Sequence, residues 1–311
     1  MTPVPSATSA HERPAFFPMG AESLFGVLTS PPGEHNGVAA IVLSGGGATA
    51  PATNRNRLSV HMCRQLAALG YHAARFDYHG IGESTGVLAG APKVYEPYLH
   101  DIEAAVGWVR SSGLDRFILI GSCFGARTAL SYAPQLDGLE GLILVSPPLR
   151  DIQLEEGAGT RLAHNLSLRQ AVARAARLQT IRGLAHPTRR RAYGHFVKAK
   201  TRQALGANGH ATDGVDHWVS AMFLEPLRRL AAGDIPVRFV YGTKDWHYDD
   251  FERGRSGRLG NVLDASPLTD VTLIEGEVHG LTNVRVQEEV AEVVMRTVTD
   301  WSDSRARAVM S

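Results

Sequence analysis

Only two cysteines, Cys63 and Cys123, occur in 311 residues. Two thiols supply neither a disulfide framework nor a metal-ligand cluster, so the sequence leads us to expect no metal and no cofactor. Net charge is also nearly absent: 32 Lys and Arg against 31 Asp and Glu leave +1. A chain so balanced offers no global attraction to nucleic acid. No segment has the length and apolarity to span a membrane. Met1 to Gly20 holds prolines, small residues and charges but no apolar run of signal-peptide length. There is no internal repeat. These absences lead us to expect a cytoplasmic protein in a reducing compartment, without membrane insertion and without a nucleic-acid partner.

What is present begins with a 44% hydrophobic composition, enough for a full core in one large domain or two small ones. One stretch organises the rest. Phe117 to Ile120 is a short apolar, β-favouring run, and Ala126 to Ala133 is rich in helix formers. Between them lies Gly121-Ser122-Cys123-Phe124-Gly125, a Gly-x-Cys-x-Gly turn with the spacing of a nucleophile elbow. Such a turn forces its central residue into a strained conformation that lifts the side chain clear of the sheet. Gly121 and Gly125 are required because a Cβ at either place would strike the neighbouring strand or helix. The Cys123 sulfur then sits at a helix N-terminus, where partial positive charge favours the thiolate. Ser122 is one position early and reads as a bystander. The plainer reading is an ordinary strand-to-helix turn with a buried cysteine. Cys63, in an expected helix, reads as a packing residue.

In chain order, 1–19 reads as a flexible leader and Ser23 to Leu28 as a short strand. Val38 to Leu43 is a buried strand running into Ser44-Gly45-Gly46-Gly47. That glycine-rich loop suits close backbone approach to a substrate oxygen; it lacks the Lys-Ser/Thr ending of a phosphate loop. Asn56 to Leu69 is expected as a helix with Leu58, Met62, Leu66 and Leu69 on one face. His72 to Tyr78 is a strand, followed by a turn-rich loop in which His79 and Glu83 read as loop-fixing residues. Tyr98 to Arg110 is a helix, and Gly141 to Val145 another strand. Strands alternating with helices imply a mostly parallel sheet covered on both faces. From 149 to 226 no convincing strand occurs, and the segment reads as an inserted helical cap between two parts of one core, 20–148 and 227–303. Val237 to Tyr241 and Val271 to Ile274 are further strands, Val286 to Trp301 a closing helix, and 304–311 a tail.

The cap carries a local asymmetry. From Arg161 to Leu205 there are eleven Lys or Arg and no Asp or Glu. One reading is a solvated basic face. The functional one is a docking surface for an anion, with Arg189, Arg190 and Arg191 as its densest point and a coenzyme A diphosphate or an acidic carrier protein as the partner.

After the last two core strands come Asp245 and His279. With Cys123 they give the chain order nucleophile, acid, base, each at a strand end. Cys123 would attack an acyl carbon, His279 would move the proton, and Asp245 would orient the imidazole. Asp249 and Asp250 are alternative acids. The oxyanion would be held by the Phe124 N–H and one N–H from the loop around Gly46 and Gly47.

On these residues the chain resembles the α/β-hydrolase superfamily from about Glu22 to Trp301. Arg75-Phe76-Asp77-Tyr78-His79-Gly80-Ile81-Gly82-Glu83-Ser84 is similar to the loop that many esterases, thioesterases and acyltransferases carry ahead of the elbow. Asn56 through Gly86 also resembles the small hydrolases associated with the exosortase system. The resemblance implies an α/β fold with an eight-stranded, mostly parallel sheet and a lid after the sixth strand. The cysteine departs from the usual serine, as in dienelactone hydrolases and some biosynthetic thioesterases. A thiolate exchanges readily with thioesters, so the leading expectation is a thioesterase or acyltransferase acting on a coenzyme A or carrier-protein thioester. The alternatives are a small-ester or lactone hydrolase, and an inactive hydrolase fold used for binding.

Overall fold

In the computed structural model the residues described are 10–45, 51–88, 93–151 and 219–310. Eight strands form one sheet: β1 His11–Met19, β2 Glu22–Ser30, β3 Val38–Leu43, β4 His72–Phe76, β5 Arg116–Ser122, β6 Leu139–Val145, β7 Val237–Gly242 and β8 Thr269–Ile274. Their spatial order is β1-β2-β4-β3-β5-β6-β7-β8. The pairs β1–β2 and β2–β4 are antiparallel; the remaining pairs are parallel. This is the α/β-hydrolase fold read from the sequence.

The central strands have no polar face, as expected where helices cover both sides. In β3, Ala39, Ile41 and Leu43 enter one core layer and Val38, Ala40 and Val42 the other, following the two-residue period of a strand. The helices among the described residues are α1 Leu58–Ala68, α2 Leu99–Arg110, α3 Phe124–Tyr132, α4 Ala221–Ala232, α5 Trp246–Arg255, α6 Arg258–Asp264 and α7 Val284–Met310. Helices α1 and α7 cover one face, and α2 to α6 the other. On α7, Val286, Val290, Val294 and Val298 recur every four residues as one buried stripe. On α1, Leu58, Met62 and Leu66 are buried as expected. Leu69 is not: it caps the helix end and is 45% exposed.

Three boundaries differ from the sequence reading. Residues 11–19 of the expected leader form β1, in register with β2 from His11 opposite Ser30 to Met19 opposite Glu22. Pro14 and Pro18 are tolerated because β1 is an edge strand, and Phe17 anchors it by stacking on Trp108 at 4.7 Å. The core resumes before 227, since α4 buries Phe223 and Leu224 as well as Leu227 and Leu230. The closing helix continues through the expected tail to Met310.

The insertion between β6 and α4 leaves and re-enters the core at one place. The Ser220 N–H donates to Leu149 O at 2.9 Å, and Ser220 Oγ donates to Asp151 Oδ2 at 2.9 Å. Arg127, with no exposed surface, donates from beneath to Pro148 O at 3.1 Å and Asp151 Oδ1 at 2.9 Å. Most of the expected cap, with its basic residues including Arg189, Arg190 and Arg191, lies outside the described residues.

Candidate active site

Strand β5 ends at Ser122 and α3 begins at Phe124, so Cys123 alone makes the turn. Its φ is 49° and its ψ −113°, a conformation costly for any residue with a Cβ. Its N–H donates to Val145 O at 2.9 Å, and its carbonyl accepts from Ala126 and Arg127 in the first turn of α3. The flanking glycines have the role expected of them. A Cβ on Gly121 would stand 2.5 Å from Gly125 O and 2.6 Å from Ala126 Cα. One on Gly125 would overlap the main-chain oxygens of Leu43 and Ser44 at the end of β3. The elbow can therefore turn this tightly only with glycine at both places. Ser122 Oγ is buried with no hydrogen-bond partner and lines a small cavity of about 20 Å³ beside Asn54 and Ser59.

Asp245 follows β7 and is 1% exposed. Its Oδ2 accepts from the Gly242 N–H at 2.9 Å and from Ser146 Oγ at 3.0 Å. Its Oδ1 accepts from the Val278 and His279 N–H groups at 2.8 and 2.9 Å. One carboxylate thus ties the ends of β6 and β7 to the loop after β8 and fixes the main chain of His279. Ser146, whose φ is 46°, is a supporting residue that the sequence reading missed. The alternative acids lie elsewhere. Asp250 pairs with Arg150 at 2.8 Å, and Asp249 is exposed in the first turn of α5.

The Cys123 sulfur, an imidazole nitrogen of His279 and one of His247 all lie within 4.8 Å of one another. His247 was not anticipated. It is 0% exposed, packs on Trp246 with ring centroids 3.7 Å apart, and meets the His279 ring at 4.5 Å and 61°. No spacing motif marks it; the available sign was a histidine two residues past the acid at a strand end. The thiol count had suggested no metal-ligand cluster, yet folding brings these three donors to one point.

The oxyanion expectation meets a specific obstacle. The Phe124 N–H donates to Gly45 O at 3.2 Å, because a helix N-terminus leaves N–H groups that the nearest carbonyl satisfies. Gly45 does lie against the nucleophile: a side chain there would begin 3.7 Å from Cys123 Cβ. Gly46 and Gly47 are outside the described residues. His79 and Glu83 fix their loop as expected. His79 Nδ1 lies 2.9 Å from Asp101 Oδ1, and the Glu83 N–H donates to Asp77 Oδ2 at 3.0 Å.

The model of the serine aminopeptidase S33 family of α/β-hydrolases matches residues 54–283, a span that holds the elbow, Asp245, His247 and His279. The chain belongs to this family. Within it, the elbow carries cysteine in a family named for serine. No curated protein sequence matches the chain. Among solved structures, the α/β-hydrolase fold recurs in proline iminopeptidase from Mycobacterium smegmatis, with TM-score 0.60, 19% identity, and 94% of this chain and 100% of that chain covered. It recurs in an esterase from Pyrococcus furiosus, with TM-score 0.58, 15% identity and 94% and 92% covered. It recurs also in Est1E from Butyrivibrio proteoclasticus with ferulic acid bound, with TM-score 0.57, 16% identity and 93% and 99% covered. No helix among the described residues is long and apolar enough to cross a membrane.

Proposed function

We propose that this α/β-hydrolase processes acyl thioesters through an acyl-Cys123 intermediate. The observation that carries the proposal is the cysteine itself: a thiol at the strained apex of the elbow, with an imidazole nitrogen of His279 within 4.8 Å of its sulfur. Attack forms the Cys123 S–C bond and breaks the substrate C–S bond. His279 takes the thiol proton and returns it to the departing thiolate. Asp245 supports the step by holding the His279 main chain, and the positive end of α3 faces the developing charge. To donate to the oxyanion, the Phe124 N–H turns from Gly45 O to the substrate. Exchange between two thioesters is nearly balanced in energy, which suits a thiol nucleophile better than a serine. The basic run from Arg161 to Arg202 complements an anionic coenzyme A or carrier protein. Water as acceptor makes the protein a thioesterase; an amine, alcohol or thiol makes it an acyltransferase.

A second reading, hydrolysis of small esters or lactones, is favoured by the fold shared with the Pyrococcus furiosus esterase. Intact-protein mass spectrometry with a panel of acyl thioesters tests both. The expected outcome is a mass increase equal to the acyl group in wild type, lost in Cys123→Ala, with its decay set by the acceptor added. Fast turnover of short free esters with no gain from a thioester selects the second reading. No adduct and no ester turnover selects a binding role for the fold.

A further inference from the structure

His247 has no part in the acyl chemistry above, yet it is fully enclosed at its centre. It lies in the first turn of α5, packed on Trp246 with the rings tilted by 33°, and presents its ring to His279. Three donors from three separate turns, after β5, β7 and β8, thus converge within 4.8 Å. We propose that Cys123, His247 and His279 form a binding site for a divalent transition metal of the zinc type, with one thiolate and two imidazoles as ligands and the fourth tetrahedral position open to substrate or water.

The donor set favours this class of ion. Thiolate and imidazole suit zinc and its borderline-soft neighbours, whereas magnesium and calcium take oxygen ligands. Zinc holds nitrogen at about 2.0–2.1 Å and sulfur at about 2.3 Å, so tetrahedral donors stand roughly 3.3–3.6 Å apart. Donors within 4.8 Å need at most about 1.5 Å of closure for that geometry, within the reach of χ rotations. The main chain behind each donor is already fixed. Cys123 is held by the elbow, His279 by Asp245 Oδ1, and His247 by its helix and Trp246. These anchors limit how far each donor must move to reach a common ion. Binding forms a metal–sulfur bond and releases the thiol proton to solvent, with no change of oxidation state. Metal and acyl substrate then compete for one sulfur, so the ion acts as a reversible block on Cys123.

The test uses the full chain, stripped of metal and titrated with Co²⁺ as a spectroscopic stand-in for Zn²⁺. Expected are one equivalent bound and a near-ultraviolet thiolate-to-cobalt band, absent from Cys123→Ala and retained in Cys63→Ala. His247→Gln and His279→Gln should each weaken binding by about tenfold or more. In wild type, which bypasses any folding defect of a variant, X-ray absorption of the zinc form should count one sulfur and two imidazoles. Zn²⁺ should also slow alkylation of Cys123 until a chelator is added. A missing band in wild type, a band that survives Cys123→Ala, or another ligand count overturns the assignment. So does unchanged affinity in a folded His247→Gln. The cobalt readout is independent of acyl transfer: an acyl adduct in the metal-free protein without a cobalt band removes this site and leaves the proposed function standing.

Discussion

Two thiols in one chain have opposite characters, and burial decides which. Cys63 is 0% exposed within the layer between α1 and the sheet, where the loss of water pushes its thiol up to about 12. Cys123 stands half-buried at the elbow. In native protein at pH 8, one thiol per chain should react with a chromogenic disulfide, and two after denaturation; two fast thiols in the native state would contradict the packing. His72 supplies a pH-dependent term. Burial and the nearby His35 ring, 4.9 Å away, lower its pKa from the ordinary 6.5. The unfolded chain therefore binds the proton more readily, and stability falls as pH drops below 6.5 through the folded value. His72→Gln should flatten that acid limb in denaturation midpoints measured from pH 7 to 5. At this scale Cys123, Asp245 and His279 stood out as candidates because each follows an apolar strand, and the fold brings them to one place. The sequence concealed His247 and Ser146, whose roles depend on where separate turns meet.

Elements were legible in proportion to their burial. Strand β3 occupies the span from Val38 to Leu43 that its apolar run foretold, because all six residues are buried and no competing pattern exists. Strand β1 was concealed by Pro14, Pro18 and its charges. Its pairing is decided by β2 and by the stacking of Phe17 on Trp108, long-range terms that no local window contains. Helix α5 was missed for a similar reason: Phe251 is its one fully buried large apolar side chain, so no stripe appears. The elbow is the element whose sequence demands are strictest. Gly125→Ala would drive a Cβ into the carbonyls of Leu43 and Ser44, which belong to main chain and cannot swing aside. A loss of about 3 kcal/mol or more is expected in urea unfolding. An effect under about 0.5 kcal/mol, the range of an ordinary surface change, would mean the turn is looser than drawn.

For the whole molecule, the described residues by themselves form two continuous core layers, one on each face of the sheet. The two ends of that insertion meet where Ser220 bonds Leu149 and Asp151. Replacing 152–218 with a short Gly/Ser linker should therefore leave the core folded, since the closure entropy of a loop grows only slowly with its length. Circular dichroism and thermal unfolding check this, and a molten or insoluble product would contradict it. The same variant separates roles: acylation of Cys123 by a small thioester should persist, while any preference for coenzyme A or carrier-protein thioesters should vanish if the basic run supplies it. Because departure and return share one doorway in the sheet domain, this segment can be exchanged like a cartridge. If the segment recognises substrate as proposed, mutation there can try new surfaces while the strained turn and its supporting carboxylate are inherited unaltered, and related chains with the same elbow should differ most in length and charge between β6 and α4.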